Sequence, residues 1–310
     1  HKLFVTTGSD DFIAAFNSNY KVPENPVSEE DVFTNNGLAF IRPMQREHES
    51  ILENAAQKKL SEIIQPGDIK GVIHSHSTWS DGVHTIEQMA KAAIEQGLEY
   101  LVISDHSQSA FYAGGLKPEQ IAAQHQEVDA LNAKLAPFKI FKSIESDILN
   151  DGSLDYSEQV LSTFDLVIAS VHSNLKMSQE KAMERVLKAI RNPYTTILGH
   201  PTGRLLLSRK GYPLDHKQII DECAACNVVI EINAHPRRLD IDWRWIGYAM
   251  EKGVLLSIDP DAHSIDGYKD TYYGVMVAQK GGLTSSNNLS SFTRQQFEAF
   301  LQKSREKIMR

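Results

Sequence analysis

Residues 68–82 read DIKGVIHSHSTWSDG, a short apolar run that ends abruptly in imidazole, hydroxyl and carboxylate side chains. A similar arrangement, in which polar residues follow a β-branched run, recurs along the chain. Strands are predicted at residues 69–73, 100–103, 139–144, 165–171, 195–198, 228–232 and 254–258. Amphipathic helix patterns are predicted at residues 85–96, 118–135, 178–191, 215–226, 242–252 and 293–307. Strands that alternate with helices predict parallel βαβ units, and seven such units favour a closed α/β barrel over an open sheet.

The composition sets limits on the class of protein. The chain has 310 residues, 41% of them hydrophobic and 23% charged, which is typical of a soluble globular protein. Two cysteines cannot form a disulfide framework in a chain of this length. No apolar run of about 18 residues occurs, and the start of the chain lacks the hydrophobic stretch of a signal peptide, so a cytoplasmic location is expected. The net charge of −8 argues against a general nucleic-acid coat but leaves room for a local basic groove.

The first 66 residues have weak periodicity and several prolines. Leu3-Phe4-Val5 resembles a strand, a capped helix start is predicted at Ser28, and a helical pattern at residues 47–64 ends at Pro66-Gly67. That dipeptide is the best domain boundary in the sequence. The chain begins with His1 rather than Met, which is the pattern of a chain entered part-way through a longer protein or of a processed one.

Histidines and carboxylates follow nearly every predicted strand. In a parallel barrel the carboxyl ends of the strands meet on one face, so these side chains are expected to converge. Such a set would stay unsatisfied unless cations held it together, and nitrogen and oxygen ligands without cysteine suit manganese, zinc or iron. The candidate metal ligands are His74, His76, Asp81, His106, Glu145, His172, His200, Asp261 and His263. They are too many for one ion, and two or three divalent ions would fit, with Glu145 able to bridge.

Any single histidine would more often be a hydrogen-bonded core or surface residue, but six at five strand ends favour the metal cluster. Histidines without this context are assigned no role: His1, His48, His84, His125 and His216. His235 follows a strand and is expected to serve the rim of the site. Asp105, beside His106, could orient that ring or cap a helix.

These motifs resemble a known family. HSHSTWSDG at residues 74–82, with Ser104-Asp105-His106 and Asp261-Ala262-His263, resembles the signature of PHP (polymerase and histidinol phosphatase) domains. Residues 200–206 (HPTGRLL), 231–240 (EINAHPRRLD) and 242–245 (DWRW) are more similar to the C-terminal PHP region of bacterial family X DNA polymerases, whose members usually have Asn where His235 stands.

The resemblance implies a distorted (βα)7 barrel at residues 67–310, with residues 1–66 similar to the end of a family X polymerase core. It also implies a trinuclear site. One ion would be held by His74, His76, Glu145 and Asp261. Glu145 would bridge to a second ion, held by His172 and His200. The third would be held by Asp81, His106 and His263. The implied activity is hydrolysis of DNA phosphodiesters by a metal-bound water, as a 3′–5′ exonuclease without a separate side-chain nucleophile.

The substrate is the open part of this hypothesis. Basic residues that follow two strands could bind phosphate: Arg204, Arg209, Lys210, Arg237 and Arg238. They could equally be solvated loop charges. Tyr112 and several other aromatic residues could stack on bases or simply pack. The expected partner is DNA, as a single strand or a 3′ end, and no membrane. The alternatives are a small-molecule phosphatase acting on an ester such as histidinol phosphate, and a non-catalytic, metal-stabilised polymerase module.

Overall fold

The computed structural model describes residues 2–306, and its centre is a single sheet of seven parallel strands in sequential order. The strands are β1 (Gly71–Val72), β2 (Tyr100–Ile103), β3 (Lys139–Asp147), β4 (Leu166–Ser170), β5 (Ile197–Leu198), β6 (Val229–Asn233) and β7 (Leu256–Asp259). All seven lie within or beside the predicted runs. Each strand is buried along nearly its whole length, as expected for a sheet covered on both faces.

The seam between β1 and β7 makes the barrel distorted. At the carboxyl ends of the strands the seam is closed directly, because His76 N donates to Ala262 O at 2.9 Å and Ala262 N donates to His74 O at 3.2 Å. At the other end residues 288–290 fill the gap. There Lys70 N donates to Ser290 O at 2.8 Å, and the Ser290 hydroxyl donates to Ile258 O at 3.0 Å. The predicted α/β barrel is therefore confirmed, with direct closure only at the face that carries the polar residues.

Twelve α-helices lie within the described residues. They are α1 (Lys2–Thr7), α2 (Asp10–Asn19), α3 (Glu30–Thr34), α4 (Ser50–Ala56), α5 (Ile86–Glu95), α6 (Pro118–Leu135), α7 (Glu158–Leu161), α8 (Gln179–Ile190), α9 (His216–Cys226), α10 (Ile246–Glu251), α11 (Thr271–Lys280) and α12 (Arg294–Arg305). The six helices predicted around the barrel are present, although Lys307, the predicted end of the last one, lies outside the described residues. No helix between residues 2 and 306 is long and apolar enough to cross a membrane.

Three sequence predictions differ from the structure. Leu3-Phe4-Val5 lies in helix α1, because Phe4 packs with the aromatic rings of α2 and α3 rather than pairing in a sheet. The helix expected at residues 47–64 is shorter, since it ends after Ala56. Helix α11 was not predicted. It packs Gly274 against Ala234 at the end of β6, at a separation where a Cβ would lie 2.6 Å from the alanine side chain.

The N-terminal residues build a hydrophobic cluster of their own, made from side chains between Phe4 and Ala55. At its centre is Arg46, which is fully buried. Its guanidinium donates to Ile41 O at 2.7 Å and to a Glu29 carboxylate oxygen at 2.7 Å, and it lies 4.8 Å from the centre of the Phe33 ring. The barrel residues form three further clusters on the inside and outside of the sheet.

Candidate metal centre

The carboxyl ends of the strands bring all nine predicted ligands to one face of the barrel. Each comes from a strand end or the loop that follows it: His74, His76 and Asp81 after β1, His106 after β2, Glu145 within β3, His172 after β4, His200 after β5, and Asp261 and His263 after β7. Six of these nine residues are buried, the side chain of His172 is 9% exposed, and Asp81 and His263 lie at the solvent-facing side with side chains 36% and 41% exposed.

Glu145 is at the centre of the cluster, with a side chain only 1% exposed. Five of the six imidazoles approach its carboxylate within 4 Å. The nitrogen-to-oxygen distances are 3.0 Å from His200, 3.1 Å from His172, 3.0 Å from His106, 3.3 Å from His74 and 3.6 Å from His76. Both carboxylate oxygens are used, since Oε1 faces one set of rings and Oε2 the other. Glu145 therefore has the position that a bridging ligand requires.

The two aspartates contact further imidazoles of the cluster. Asp261 Oδ1 lies 3.2 Å from His76 Nε2 and 3.4 Å from His74 Nε2. Asp81 Oδ1 lies 3.3 Å from His263 Nε2 and 3.7 Å from His106 Nε2. The imidazoles stack between these carboxylates, with the His76 ring centre 4.2 Å from that of His263.

Three groups of ligand atoms are close enough together to share an ion, with all atoms of a group within 4.8 Å of one another. The groups are His74, His76 and Asp261; His76, Asp81, His106 and His263; and His106, Glu145 and His172. The first two largely match the grouping expected from the sequence. The third differs, because it has His106 where His200 was expected, and His200 instead contacts Glu145.

The unsatisfied atoms of the cluster fit divalent cations. Five buried atoms of the candidate ligands have no hydrogen-bond partner within residues 2–306: His74 Nε2, His76 Nδ1, His106 Nδ1, His200 Nδ1 and Glu145 Oε2. Although His106 Nδ1 and Glu145 Oε2 lie 3.0 Å apart, their alignment is not that of a hydrogen bond. Buried polar atoms without partners are rare in folded proteins. Imidazole and carboxylate donors of this kind are those that zinc, manganese and iron accept.

The pKa values of two histidines in the cluster shift in opposite directions. Burial, together with the charge of His106, lowers the pKa of His76 to about 3. Burial alone would also lower the pKa of His172, but the charges of Glu145 and Asp147 outweigh it and raise that pKa to about 10. The pKa of Glu145 lies well below its ordinary value, because the surrounding imidazoles outweigh the effect of its burial. The carboxylate at the centre is therefore ionised and available as a ligand.

Backbone strain is concentrated at the same residues. His74 has φ of 63°, Asp261 has φ of 52° and His200 has φ of 20°, all on the left-handed side that residues other than glycine seldom adopt. Such conformations cost about 1–3 kcal/mol each and persist where the surrounding structure enforces them, commonly at functional sites. Here the strain turns three side chains inward at the ends of β1, β5 and β7.

Residues that sequence reasoning missed surround the cluster. Glu231 in β6 is fully buried and accepts hydrogen bonds from His74 Nδ1 and from the backbone N–H of His200. Asp147 in β3 accepts from His172 Nδ1 at 2.5 Å. Glu231 lies two residues before Asn233, and Asp147 lies two residues after Glu145. Each residue therefore shares a face of its strand with that second polar side chain. That alternation within a buried strand was the signal available in the sequence.

Asp105 has neither of the roles expected for it. Its carboxylate accepts from the backbone N–H of Ser77 at 2.7 Å, the Ser80 hydroxyl at 2.6 Å and Gln124 Nε2 at 2.7 Å. It therefore fixes the loop between His76 and Asp81 rather than the ring of His106. The loop is tight, since a Cβ at Gly82 would collide with the backbone of His76.

The five predicted phosphate-binding residues have different surroundings. Arg238 Nε lies 3.5 Å from Asp261 Oδ2, so this side chain reaches the cluster. Arg204 is half-buried and donates to Arg238 O at 2.8 Å, to Asp242 at 2.9 Å and to Leu239 O. Arg209 is exposed and donates to Gly203 O at 2.9 Å. Lys210 and Arg237 are exposed. The structure thus brings one of the five to the candidate ligands, while Arg204 supports the loop that carries it.

The barrel, its cluster and its motifs define the class of this protein. The chain belongs to the PHP domain family, whose model matches residues 73–235. It is 41% identical over 276 residues, or 89% of this chain, to the DNA polymerase/3′-5′ exonuclease PolX of Bacillus subtilis (strain 168). The chain spans about half (48%) of the length of that relative.

Two further comparisons extend this result. A probable phosphatase of Caldanaerobacter subterraneus is 28% identical over 207 residues, which cover 61% of this chain and 74% of the phosphatase. The crystal structure of histidinol phosphate phosphatase from Lactococcus lactis, complexed with zinc, L-histidinol and phosphate, matches with a TM-score of 0.54 and 20% sequence identity. That match covers 69% of this chain and 94% of the other, and it shows a shared fold.

Proposed function

We propose that this chain is a metal-dependent phosphoesterase that hydrolyses DNA phosphodiesters from the 3′ end. The observation that carries the proposal is the convergence of eight imidazole and carboxylate side chains around Glu145, with five buried atoms of these nine residues lacking partners in the described part of the chain. A cluster of this composition suits two or three divalent ions, of manganese, zinc or iron. Such ions supply a water of lowered pKa and neutralise phosphate charge when they are bound.

The residues of the chain have distinct parts in this proposal. Glu145, the two aspartates and the six histidines hold the ions. Glu231 and Asp147 accept from the outer nitrogens of His74 and His172, which fixes these rings with Nε2 toward Glu145. Arg238, beside Asp261, is placed to receive a phosphate oxygen. No side chain needs to act as the nucleophile.

DNA is the substrate that the observations favour. The relative with 41% identity over 89% of this chain is named as a polymerase and 3′–5′ exonuclease. Exposed basic side chains flank Arg238 on the loops after β5 and β6, namely Arg209, Lys210 and Arg237. They offer a backbone-binding rim on a protein whose overall charge is −8.

The division of the chain is part of the same proposal. Residues 1–66 would be the end of a preceding polymerase core, and residues 67–310 the phosphoesterase domain. The separate hydrophobic cluster between Phe4 and Ala55 supports this division.

A second candidate is hydrolysis of a small phosphate monoester. The 28% identity to a probable phosphatase favours it, since that relative covers much of the barrel.

The decisive experiment is incubation of a 5′-labelled single-stranded oligonucleotide with the manganese-loaded protein. A ladder that shortens from the 3′ end is expected, and His200→Ala should abolish it. His48→Ala, at an exposed histidine outside the cluster, is the matched control.

The alternatives have distinct outcomes. If the DNA stayed intact while phosphate was released from histidinol phosphate, the protein would be a phosphomonoesterase and not an exonuclease. If both substrates stayed intact while the ions were bound, the domain would be a non-catalytic, metal-stabilised module.

A further inference from the structure

A cavity of about 570 Å³ opens beside the metal centre, between the loops that follow β2 and β3. Its lining includes Ser109, Phe111, Tyr112, Asp147, Asn150 and Ser173. Asp147 connects this cavity to the cluster, because the same carboxylate accepts from His172 Nδ1 at 2.5 Å. A ligand in the cavity would therefore lie next to the group held by the cluster.

Two aromatic rings stand at this cavity without being packed into the protein. Phe111 is 86% exposed and Tyr112 is 64% exposed, although both are large apolar side chains. Their ring centres are 6.0 Å apart in an edge-to-face arrangement. Adjoining exposed apolar side chains beside a site are a feature of ligand-binding surfaces.

The backbone that carries these rings is fixed. They lie on the short 3₁₀ turn Phe111–Ala113, which is closed by Ala113 N donating to Ala110 O at 2.9 Å. Just before it, Ser109 N donates to an Asp155 carboxylate oxygen at 2.7 Å. The rings are thus a preformed surface on an anchored turn.

The charges of the cavity favour a neutral, planar ligand. Asp147 is paired with His172, and Asp151 is paired with Lys188 at 2.9 Å. The remaining polar groups are amide and hydroxyl groups, among them Asn150 and Ser173. Faces for stacking combined with neutral hydrogen-bonding groups match a nucleobase better than a phosphate, which has no flat face and requires cations.

We infer that this cavity binds the base of the 3′-terminal nucleotide, stacked against Tyr112 and Phe111, while its phosphodiester lies at the metal centre. The inference rests on the proposed exonuclease function and deepens it, because it names the part of the substrate that is recognised. Stacking is tolerant of base identity, so the site would take any of the four bases.

The test compares binding of two probes to the metal-loaded protein: deoxyadenosine 5′-monophosphate and 2-deoxyribose 5-phosphate, which has the same phosphate but no base. The wild type is expected to bind the nucleotide about 5- to 150-fold more tightly, the range that stacking of one base gives. Tyr112→Ala should remove most of this preference and leave the affinity for deoxyribose phosphate unchanged. Tyr112→Phe should keep the preference, because the ring face remains.

Cleavage supplies the second readout. Removal of a normal 3′-terminal nucleotide should slow in Tyr112→Ala and Phe111→Ala, whereas an abasic 3′ terminus should be removed at the same rate by wild type and variants. Val27→Ala, at a residue 98% exposed in the N-terminal segment, is the control for loss of an exposed apolar side chain. Since the substituted rings are exposed, thermal melts should confirm that the variants remain folded.

The outcomes separate the two proposals. A base preference that depends on Tyr112, with no DNA cleavage, would support the cavity and overturn the exonuclease. Cleavage of DNA with equal binding of both probes would overturn the cavity and keep the exonuclease. Equal binding with no cleavage would overturn both.

Discussion

Two sets of polar side chains on the same face of the barrel differ in whether their hydrogen-bonding groups have partners. Around Glu145, five buried atoms of the candidate ligands have no hydrogen-bond partner among the described residues. A short distance away, all three guanidinium nitrogens of Arg204 donate to groups of the loop that follows β6. Since an unsatisfied buried polar group is costly, the first set is arranged for a ligand that the chain does not itself provide. The second set is complete and stabilises a loop.

Glu145→Gln should have the largest effect of any single change. An amide lacks the charge that offsets the surrounding imidazoles, and its nitrogen cannot serve as a bridging ligand. Phosphoesterase activity should fall by more than about 100-fold, the upper end of what losing an outer partner of a metal ligand costs. Activity and bound metal per chain are the measurements. Glu222→Gln, at a carboxylate paired with Arg191 on the outer helices, should change neither. Full activity in Glu145→Gln would remove the cluster from the chemistry.

Glu231→Gln should weaken metal binding by about 10- to 100-fold while leaving all nine candidate ligands in place. The carboxylate accepts from the ring of His74 and from the backbone of His200, so the amide would loosen two ligands together. A competition titration against a metal-binding dye measures the affinity. Asp147→Asn is the matched variant on β3, where His172 alone is affected. If Glu231→Gln bound metal as tightly as the wild type, the ring of His74 would be oriented by the backbone alone.

Removal of the ions should destabilise the cluster but leave the Arg204 loop unchanged. A ligand present at 100 times its dissociation constant stabilises the folded state by about 2.7 kcal/mol. A chelator should therefore lower the melting temperature of the wild type by several degrees, and restored manganese should reverse the change. Arg204→Ala should show the same shift as the wild type, and Glu145→Gln a smaller one. If the chelator did not change the melting temperature of the wild type, the ions would make no contribution to the stability of the fold.

The convergence of the nine side chains could be predicted from the sequence because most of them follow apolar strands directly, where imidazoles and carboxylates are easily recognised. Glu231 was missed since it lies inside the buried run VVIEIN, which reads as an ordinary strand. The surroundings of Arg204 were beyond a sequence reading for another reason. Two of its three acceptors are backbone carbonyls 34 and 35 residues away, and carbonyl groups occur at every residue, so the sequence does not distinguish these two. The sequence could show that arginines follow β5 but not which of them the protein itself binds.

Arg204→Ala should lower the free energy of unfolding by about 1–3 kcal/mol, because three partly buried acceptors lose a charged donor. Since Arg204 holds the backbone of Arg238, the variant should also raise KM for a phosphodiester. Arg204→Lys should recover little, as an ammonium group cannot reproduce the three directed bonds. Denaturant unfolding and steady-state kinetics are the measurements. An Arg204→Ala variant with unchanged stability and reduced DNA binding would instead return Arg204 to the phosphate-binding role expected from the sequence.

Arg237→Ala is the smallest change and tests the rim directly. Its guanidinium makes no hydrogen bond or ion pair with the rest of residues 2–306, so the free energy of unfolding should stay within about 0.5 kcal/mol of the wild type. If the side chain touches a DNA phosphate, its loss should reduce the slope of log affinity against log salt concentration by about 0.7, the value for one contact on a single strand. The turnover number should not move, because Arg237 lies outside the cluster. A lower turnover number with an unchanged salt slope would mean that Arg237 contacts the reacting phosphate. Arg237 would then belong with the residues of the metal centre rather than with those of the surrounding loops.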